Sequence, residues 1–389
     1  MKLYFGTAIA LAAGLGHAQS GIAVSGQLDA AITEARTKVN GASVSKSGLF
    51  PSGMASSFLR FDGREDMGGG LYAGFRLEAG LNNDNGNGIA SNANNQASGA
   101  GPNNGGLSFN RWAIVSLGHR SWGELRAGRV YTAAFENFTP YDPFFTNGVG
   151  SSTPVTLRLG IRNTQTALNV SNAIEYLTPD YGKGFFARAT VARGENLSDG
   201  TLANGNPRHA GDHEAVRVGY ADGPWSVAYS VGLTHNTPGR VGSVNNPGDY
   251  LNSNLALRYD FPWARFYLQW VNEKLDGASA AGGVNTGVAT NQAKTRSVLL
   301  GTVIPVGAGN IKLSYVDGEL TDNVQSPAEK GKLFAAGYDY YFSKRTNVYG
   351  VVSRIRNNGA GNYGYAAAYL APGRGESSSA ISFGMKHIF

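Results

Sequence analysis

Apolar and polar residues alternate along most of the chain from Gly21 onward. In the segment 250–261, one face carries Leu251, Leu255, Leu257, Tyr259 and Phe261, and the other carries Asn252, Asn254, Arg258 and Asp260. The segments 71–79 and 225–234 repeat this pattern. Because the side chains of a β-strand point alternately to its two faces, a period of two predicts strands with one apolar and one polar face.

Two kinds of connection separate these segments. The short ones are rich in turn residues, as at 222–224 (DGP) and 343–345 (SKR). The long polar ones cover residues 33–55, 82–106, 195–212, 236–249, 276–293, 321–331 and 357–376. The alternating runs number about sixteen. Tight turns that alternate with long loops are typical of an antiparallel barrel whose two rims differ.

The segment 130–152 departs from the alternating pattern. It contains the aromatic residues Tyr131, Phe135, Phe138, Tyr141, Phe144 and Phe145. Pro140, Pro143, Gly148 and Gly150 disfavour a long regular strand or helix there. An irregular segment this apolar must be buried, so we predict that residues 130–156 fold into the space enclosed by the strands and narrow it. A surface loop with its own small core is the alternative.

Alternation alone fits a soluble sandwich as well as a membrane barrel. Strands of roughly ten residues, the length that crosses hydrocarbon at a tilt, favour the barrel. Aromatic residues near the strand ends, as in an interfacial girdle, are Trp112, Trp225, Tyr259, Phe261, Trp263, Tyr338, Tyr340 and Phe342. The final strand alternates up to Phe389, and pairing it with residues 21–32 closes the sheet. We predict an all-β fold, a transmembrane antiparallel β-barrel of about sixteen strands with an inward-folded constriction loop.

The start of the chain has the pattern of a secretory signal. Lys2 is basic, residues 3–15 are apolar, and Ala18 ends a small-residue cleavage motif. Residues 1–18 are therefore predicted to be removed, leaving residues 19–389 as a single barrel domain. The chain has no cysteine, which excludes disulfides and thiolate metal sites.

The remaining composition excludes other classes of function. The net charge of +6 comes without a run of Lys and Arg, so nucleic acid is not an expected partner. We find no nucleophile elbow, Walker loop or dinucleotide fingerprint, and we predict neither an enzyme nor a cofactor. His209, Asp212 and His213 are spaced like metal ligands, but a predicted loop gives them no fixed geometry, so no metal site is expected.

Several short motifs, in this order, resemble the Gram-negative general porin family of trimeric outer-membrane diffusion channels. The motifs are Ser25-Gly26-Gln27-Leu28-Asp29, the segment 59–66 followed by three glycines, Gly74-Phe75-Arg76-Leu77-Glu78, Phe109-Asn110-Arg111, Gly128-Arg129-Val130-Tyr131, Asn172-Ala173-Ile174-Glu175-Tyr176 and the terminal segment 384–389. The resemblance implies a sixteen-stranded barrel in outer-membrane lipid, assembled as a homotrimer, whose third long loop bends into the lumen. It also implies that barrel-assembly machinery recognises the strand ending in Phe389.

In this family, wall arginines face carboxylates on the inward loop. The constriction residues predicted from the resemblance and from the polar face of the segment 60–64 are Arg60, Arg64, Arg111, Arg129, Arg162, Glu78, Glu136 and Asp142. Two positions depart from the family pattern. Gln27 stands where many relatives carry a basic residue, and Asn169 replaces a usual arginine, for which Arg158 and Arg162 are close enough to substitute.

The predicted function is passive diffusion of small hydrophilic solutes and inorganic ions through a water-filled channel. An excess of wall arginines would give it a mild preference for anions. A substrate-specific channel, in which the aromatic residues of 135–145 guide a sugar or an aromatic solute, is one alternative. An outer-membrane adhesin or structural barrel with a plugged lumen is another.

Overall fold

The computed structural model describes residues 21–91, 95, 106–163, 166–195, 209–236, 248–276, 292–322, 327–365 and 371–389, with only the backbone for 161–163. The predicted signal peptide, residues 1–18, lies outside these ranges. The strands are β1 (Gly21–Val39), β2 (Ala42–Pro51), β3 (Phe58–Gly68), β4 (Leu71–Asn82), β5 (Asn87–Gly88), β6 (Trp112–His119), β7 (Gly123–Tyr131), β8 (Asn169–Leu177), β9 (Gly184–Ala192), β10 (His213–Asp222), β11 (Trp225–His235), β12 (Asp249–Asp260), β13 (Arg265–Asp276), β14 (Gln292–Val306), β15 (Gly309–Asp322), β16 (Glu329–Tyr341), β17 (Thr346–Gly359) and β18 (Ser378–Ile388).

These 18 strands form one antiparallel sheet that closes on itself. One half of β1 pairs with β2 and the other half with β3, so β2 and β3 share a single position in the barrel. β5 only extends the end of β4. β1 also pairs with β18, from Gln27 opposite Ile388 to Thr37 opposite Ser378. With one shared position and one extension, 18 strands fill sixteen positions, and the predicted closed barrel is confirmed.

The strand bounds alternate tight turns with longer connections, as predicted, although most residues of the predicted long connections 82–106, 195–212, 236–249 and 276–293 lie outside the described ranges. The predicted long connection 33–55 is wrong, because β1 and β2 continue through it as an extended hairpin closed by Asn40 and Gly41. These residues have φ of 52° and 79°, the left-handed conformation that Asn-Gly favours in a tight hairpin turn. The chain instead leaves the sheet at residues 52–57, between Pro51 and Phe58.

The outer face of the barrel is apolar. In β1, Leu28 and Ile32 are exposed on this face, whereas Asp29, Ala31 and Thr33 are buried on the inner side. A sheet with exposed apolar side chains outside and polar ones inside fits a barrel surrounded by lipid.

Most of the predicted girdle aromatics lie on the outer face near the tight turns. Trp225 and Tyr259 are in ring contact, with centroids 4.4 Å apart. Trp112 was predicted to join this girdle, and that prediction is wrong. It is in register with Glu78 on β4, faces the interior and is buried.

Within the described ranges, the helices all lie between β7 and β8. They are α1 (Ala133–Glu136), α2 (Thr153–Thr156) and α3 (Arg158–Asn163), with 3-10 turns at Thr139–Tyr141 and Gly148–Gly150. Within the described ranges, none of the helices has the length and apolar character needed to cross a membrane.

Candidate pore constriction

The segment between β7 and β8, residues 132–168, folds into the barrel, and we call it the inward loop. α1 contacts β9 to β12, α2 contacts β14 to β16, and the turn Gly148–Gly150 contacts β16 to β18. The loop therefore lies against the inner wall from β9 round to β18. It contains most of the predicted range 130–156, and its inward course is confirmed. The wall formed by β3 to β8 faces it across the remaining space.

Aromatic burial explains why this segment lies inside. Phe138 and Phe144 have at most 1% of their surface exposed. Phe138 packs with Leu157 of the loop and Val271 of the wall, and Phe144 belongs to a cluster that includes Tyr349. Removing such side chains from water is the main favourable contribution to holding an irregular segment in place.

Polar side chains hold the loop against the wall. Asn137 of the loop donates to the Ala228 carbonyl at 3.0 Å and accepts from Nε of Arg217 at 2.6 Å. Gln269 donates to the Phe138 carbonyl at 3.0 Å. An irregular loop cannot satisfy all its own backbone groups, and Gln269 supplies the missing partner of the Phe138 carbonyl, while Asn137 ties the loop to β10 and β11 through its side chain.

Glu273 of β13 anchors the end of the loop. Its carboxylate accepts from the backbone N–H of Leu159 at 3.0 Å and of Gly160 at 2.8 Å, which are orphan donors at the start of α3. It also accepts from the hydroxyls of Tyr250 at 2.7 Å and Thr295 at 2.9 Å. Nothing in the sequence pattern singled this residue out, because its four partners come from three distant places in the chain.

Asp142 lies within the loop and has no exposed surface. Its carboxylate accepts from the backbone N–H of Phe144 at 2.7 Å and of Ser152 at 3.1 Å, and from the Ser152 hydroxyl at 2.6 Å. Burial raises the pKa of the Asp142 carboxyl, and the hydrogen bonds from Ser152 and Phe144 oppose this shift only in part. The side chain holds two turns of the loop together.

The tip of the loop contacts the segment 52–57. The Ser56 hydroxyl donates to Oδ1 of Asn147 at 2.8 Å. Asp29 of β1 holds this segment in place, because its carboxylate accepts from the backbone N–H of Gly53, Met54 and Ala55 at 2.9 to 3.1 Å. Two inward segments thus meet inside the barrel.

The wall that faces the loop carries a belt of arginines. The arginine belt consists of Arg60 on β3, Arg76 on β4, Arg111 just before β6 and Arg126 on β7. These side chains are 19 to 32% exposed. Their nearest carboxylate contacts are Arg60 to Asp62 at 2.9 Å, Arg76 to Asp62 at 2.7 Å, Arg111 to Glu78 at 2.5 Å and Arg126 to Glu124 at 2.9 Å.

Arg76 and Arg126 were not among the predicted constriction residues. Arg76 stands two residues before Glu78, and Arg126 stands two residues after Glu124 and before Gly128 on the same strand. Since residues two apart in a strand share a face, this spacing was the signal that could have placed them in the belt.

Arg129 and Arg64 lie apart from the belt. The register of β7 shifts between Gly128 and Val130, and this bulge takes Arg129 out of the alternation. Its guanidinium donates to the Asn110 carbonyl at 2.5 Å and to the Ser171 hydroxyl at 2.7 Å, and it is 8% exposed. Arg64 is exposed further along β3, stacked on the Tyr72 ring at 3.6 Å.

Glu136 on α1 is a partly exposed acid of the loop. Its carboxylate pairs with Arg188 and lies 3.9 Å from Arg217, and it accepts from the Tyr181 hydroxyl at 3.3 Å. Burial opposes its charged form, but Arg188 and then Arg217 outweigh burial and hold the pKa of the Glu136 carboxyl below its usual value. Both arginines are buried wall residues, so their positive charges balance the negative charge of Glu136 locally.

Arg158 and Arg162 both belong to α3. Arg158 is buried, with Nη2 2.5 Å from the Glu329 carboxylate and 2.5 Å from Oδ1 of Asn362. Its guanidinium also lies 4.0 Å from the Tyr363 ring. The side chain of Arg162 lies outside the described part of the structure. Arg158 therefore ties the loop to the wall, and the segment that contains Tyr363 folds inward as well.

The histidines near 209–213 show no metal geometry. His213 lies buried in β10 rather than in a loop, 2.8 Å from the Thr234 hydroxyl. In the ranges that the structure covers, no group of three or more His, Asp or Glu residues is placed to hold a metal ion.

A closed barrel narrowed from within, with a polar lining and an arginine belt opposite the narrowing loop, defines a β-barrel channel. The family model described as Gram-negative porin matches residues 6–360. Outer membrane porin protein 32 of Delftia acidovorans is 31% identical over 403 residues, which cover 100% of this chain and 99% of the relative.

Solved structures agree with this class. The anion-selective porin from Comamonas acidovorans is 28% identical, with a TM-score of 0.73 over 95% of this chain and 100% of that chain. OmpT of Vibrio cholerae in its trimer form has a TM-score of 0.62 at 14% identity, over 95% of this chain and 99% of that chain, a likeness of fold alone.

The chain belongs to the Gram-negative porin family. It is therefore an outer-membrane channel for passive diffusion, in a family of channels rather than enzymes.

Proposed function

We propose that this porin prefers anions and that the arginine belt is its constriction wall. The observation that carries the proposal is a difference in exposure between bases and acids inside the barrel. The belt arginines are 19 to 32% exposed. In contrast, Asp29, Asp142, Glu175, Glu273 and Glu329 are at most 3% exposed. A permeating ion would thus pass four partly exposed guanidiniums, whereas these five acids are covered.

The chemistry of the two groups supports this proposal. A guanidinium stays charged at every relevant pH, so the belt keeps its field. The partly exposed acids Asp62, Glu124 and Glu136 each contact one or two guanidiniums, which neutralise them locally. Charged residues that line a narrow passage set its ionic preference. The similarity to a porin whose title calls it anion-selective agrees with this assignment.

The test is the reversal potential of the purified protein in a planar bilayer with a KCl gradient. The double variant Arg60→Gln and Arg76→Gln removes two belt charges. Within the described ranges, Asp62 is the one carboxylate that loses both of its arginine partners, and because it is 30% exposed, water can solvate it. A unit charge ~8 Å from an ion changes its energy in water by about 0.5 kcal/mol. The chloride-to-potassium permeability ratio should therefore fall several-fold.

The matched control is Arg36→Gln with Arg193→Gln. It removes the same charge from side chains that are 70% and 63% exposed and lie away from the belt. The control should keep the wild-type ratio. A wild-type channel that prefers potassium, or a belt variant that behaves like the control, would refute the proposal.

We also propose that the protein is a homotrimer that passes small hydrophilic solutes and inorganic ions. The trimer form of a porin with the same fold supports this assembly. Migration of unheated and heated protein in detergent gels tests it, and a single monomer band under both conditions would contradict it. Mass spectrometry of the exported protein tests the proposed removal of residues 1–18, which leaves residues 19–389 as the proposed single barrel domain.

The last residue supports a role for barrel-assembly machinery. Phe389 pairs with Gly26 through two backbone hydrogen bonds of 3.0 and 3.1 Å, so the end of the chain takes part in closing the sheet. We propose that the machinery binds this strand before closure, when its edge is unpaired.

A further inference from the structure

The arginine belt is interleaved with aromatic rings. The Arg111 guanidinium lies over two of them, with Cζ 5.2 Å from the centroid of Phe58 and 5.6 Å from that of Tyr131. Arg60 also lies over Phe58, with Cζ 5.4 Å from the same centroid. These distances are within the range of cation–π contacts.

The series continues through Trp112. Its ring lies 5.8 Å from Cζ of Arg76 and 5.6 Å from Cζ of Arg126, and its centroid is 5.4 Å from that of Tyr131. All four belt arginines thus contact one connected set of rings. No simple ion wall requires this arrangement, because charge alone would need no aromatic surface.

Phe135 extends the same set onto the inward loop. Its ring centroid lies 5.2 Å from that of Tyr131, and both side chains are partly exposed. At this point the wall and the loop meet, so a solute in the passage would touch aromatic surface and guanidinium groups together.

A guanidinium stacked on a ring is held in one plane, with its N–H edge directed sideways. In Arg76 and Arg111, Nε binds a carboxylate of the protein, Asp62 or Glu78 respectively. The edge formed by the two Nη groups can then bind a carboxylate of the solute through two parallel hydrogen bonds. A ring next to it offers an aromatic solute an offset or edge-to-face contact. Together, the two groups match a planar ring that bears a carboxylate.

We infer that the constriction selects aromatic carboxylates over other anions of the same charge and size. This inference rests on the proposed anion preference and adds a class of solute to it. An aromatic contact adds roughly twofold to tenfold to binding beyond apolar burial, so the preference should be of that order.

The probes are benzoate and cyclohexanecarboxylate, which have the same charge and nearly the same size but differ in aromaticity. Each is added to wild-type channels in a planar bilayer, and block of the chloride current is measured against concentration. Benzoate should block at a concentration roughly twofold to tenfold lower. If only apolar burial and charge mattered, the two probes would block at the same concentration.

Phe135→Leu removes the ring and keeps an apolar side chain, so it should bring the two blocking concentrations together. Phe58→Leu is the second variant, because Phe135 also packs against the buried loop cluster. The control Phe185→Leu removes an aromatic ring that is 86% exposed on the outer face, and it should keep the wild-type difference.

The outcomes separate this inference from the proposed function. Equal block in a wild-type channel that still prefers chloride overturns the aromatic inference and leaves the anion preference standing. A difference that survives both Phe135→Leu and Phe58→Leu also overturns it. A wild-type channel that prefers potassium overturns both.

Discussion

Glu273→Gln tests how the inward loop is held. In the wild type, one buried carboxylate accepts four hydrogen bonds, from the backbone N–H of Leu159 and Gly160 and from the hydroxyls of Tyr250 and Thr295. Glutamine has nearly the same shape but only one acceptor oxygen. The amide NH2 that replaces the second oxygen cannot accept a hydrogen bond. One backbone N–H and one hydroxyl therefore lose the acceptor that the carboxylate had given them.

The magnitude follows from these contacts. The hydroxyl next to the new amide group can rotate and accept from it, but a backbone N–H cannot reverse. A buried donor left without a partner costs about 1–3 kcal/mol, and the surviving bonds lose the strength that the negative charge gave them. We expect the attachment of α3 to weaken by about 3 kcal/mol, which corresponds to roughly a hundredfold shift toward the detached loop.

The assay is the open-channel current of single channels, because a loop that leaves the wall changes the width of the passage. Glu273→Gln should give larger current fluctuations than the wild type. Thr295→Val removes a single hydroxyl donor, worth about 1 kcal/mol, and is the matched control with a much smaller effect. A steady Glu273→Gln current equal to that of the wild type would show that apolar packing alone holds the loop.

Two further predictions concern acid and assembly. Glu136 has a folded pKa below its unfolded value, so the stabilisation from its ion pairs is complete above the unfolded pKa of about 4.3 and is lost as the pH falls through the lower folded pKa. Current fluctuations should rise over that range, and Glu136→Gln should remove this pH dependence. Deleting Phe389 removes its two backbone bonds to Gly26 and should lower the yield of closed barrel on refolding into detergent, measured by the heat-sensitive gel shift. Phe342→Ala, an exposed aromatic at the same rim, is the control and should fold normally.

The barrel could be predicted from the sequence because its signal is local. A strand with one face in lipid and the other in water must alternate, whatever its neighbours are, and this pattern is visible without knowing the pairing. Closure followed from the same argument, since an unpaired final strand would leave backbone groups unsatisfied. Both features depend on backbone chemistry that every barrel shares.

The wrong predictions fall at two kinds of position. At one, the strand has too few apolar residues for alternation to be visible, and at the other, strand pairing decides which way a side chain faces. The β1–β2 hairpin has few apolar residues near Asn40, so its polar composition resembled a loop, although Asn40-Gly41 was itself a hairpin signal. Trp112 was assigned to the outer face by its residue type. Its pairing with Glu78 places it inside, and pairing was not readable from the sequence.

The site was predictable only in part. Arg60 and Arg111 both contact the Glu78 carboxylate, and their role at the constriction stays a prediction. Arg129 is displaced by a bulge, and Asp142 and Glu273 are occupied by loop backbone groups. Bulges and loop contacts depend on tertiary structure, so a strand pattern cannot reveal them.

The sign of the field in this channel cannot be obtained by counting charges, because the inward loop determines which charges a solute meets. Arg158 of the loop covers Glu329, and its backbone occupies Glu273. The loop thus narrows the passage and also withdraws acids from it. Release of the loop by Glu273→Gln should therefore lower the anion preference while it raises the conductance. Arg60→Gln with Arg76→Gln should lower the preference while the current stays as steady as in the wild type, because the loop remains attached. The two measurements together therefore separate the role of the loop from that of the belt.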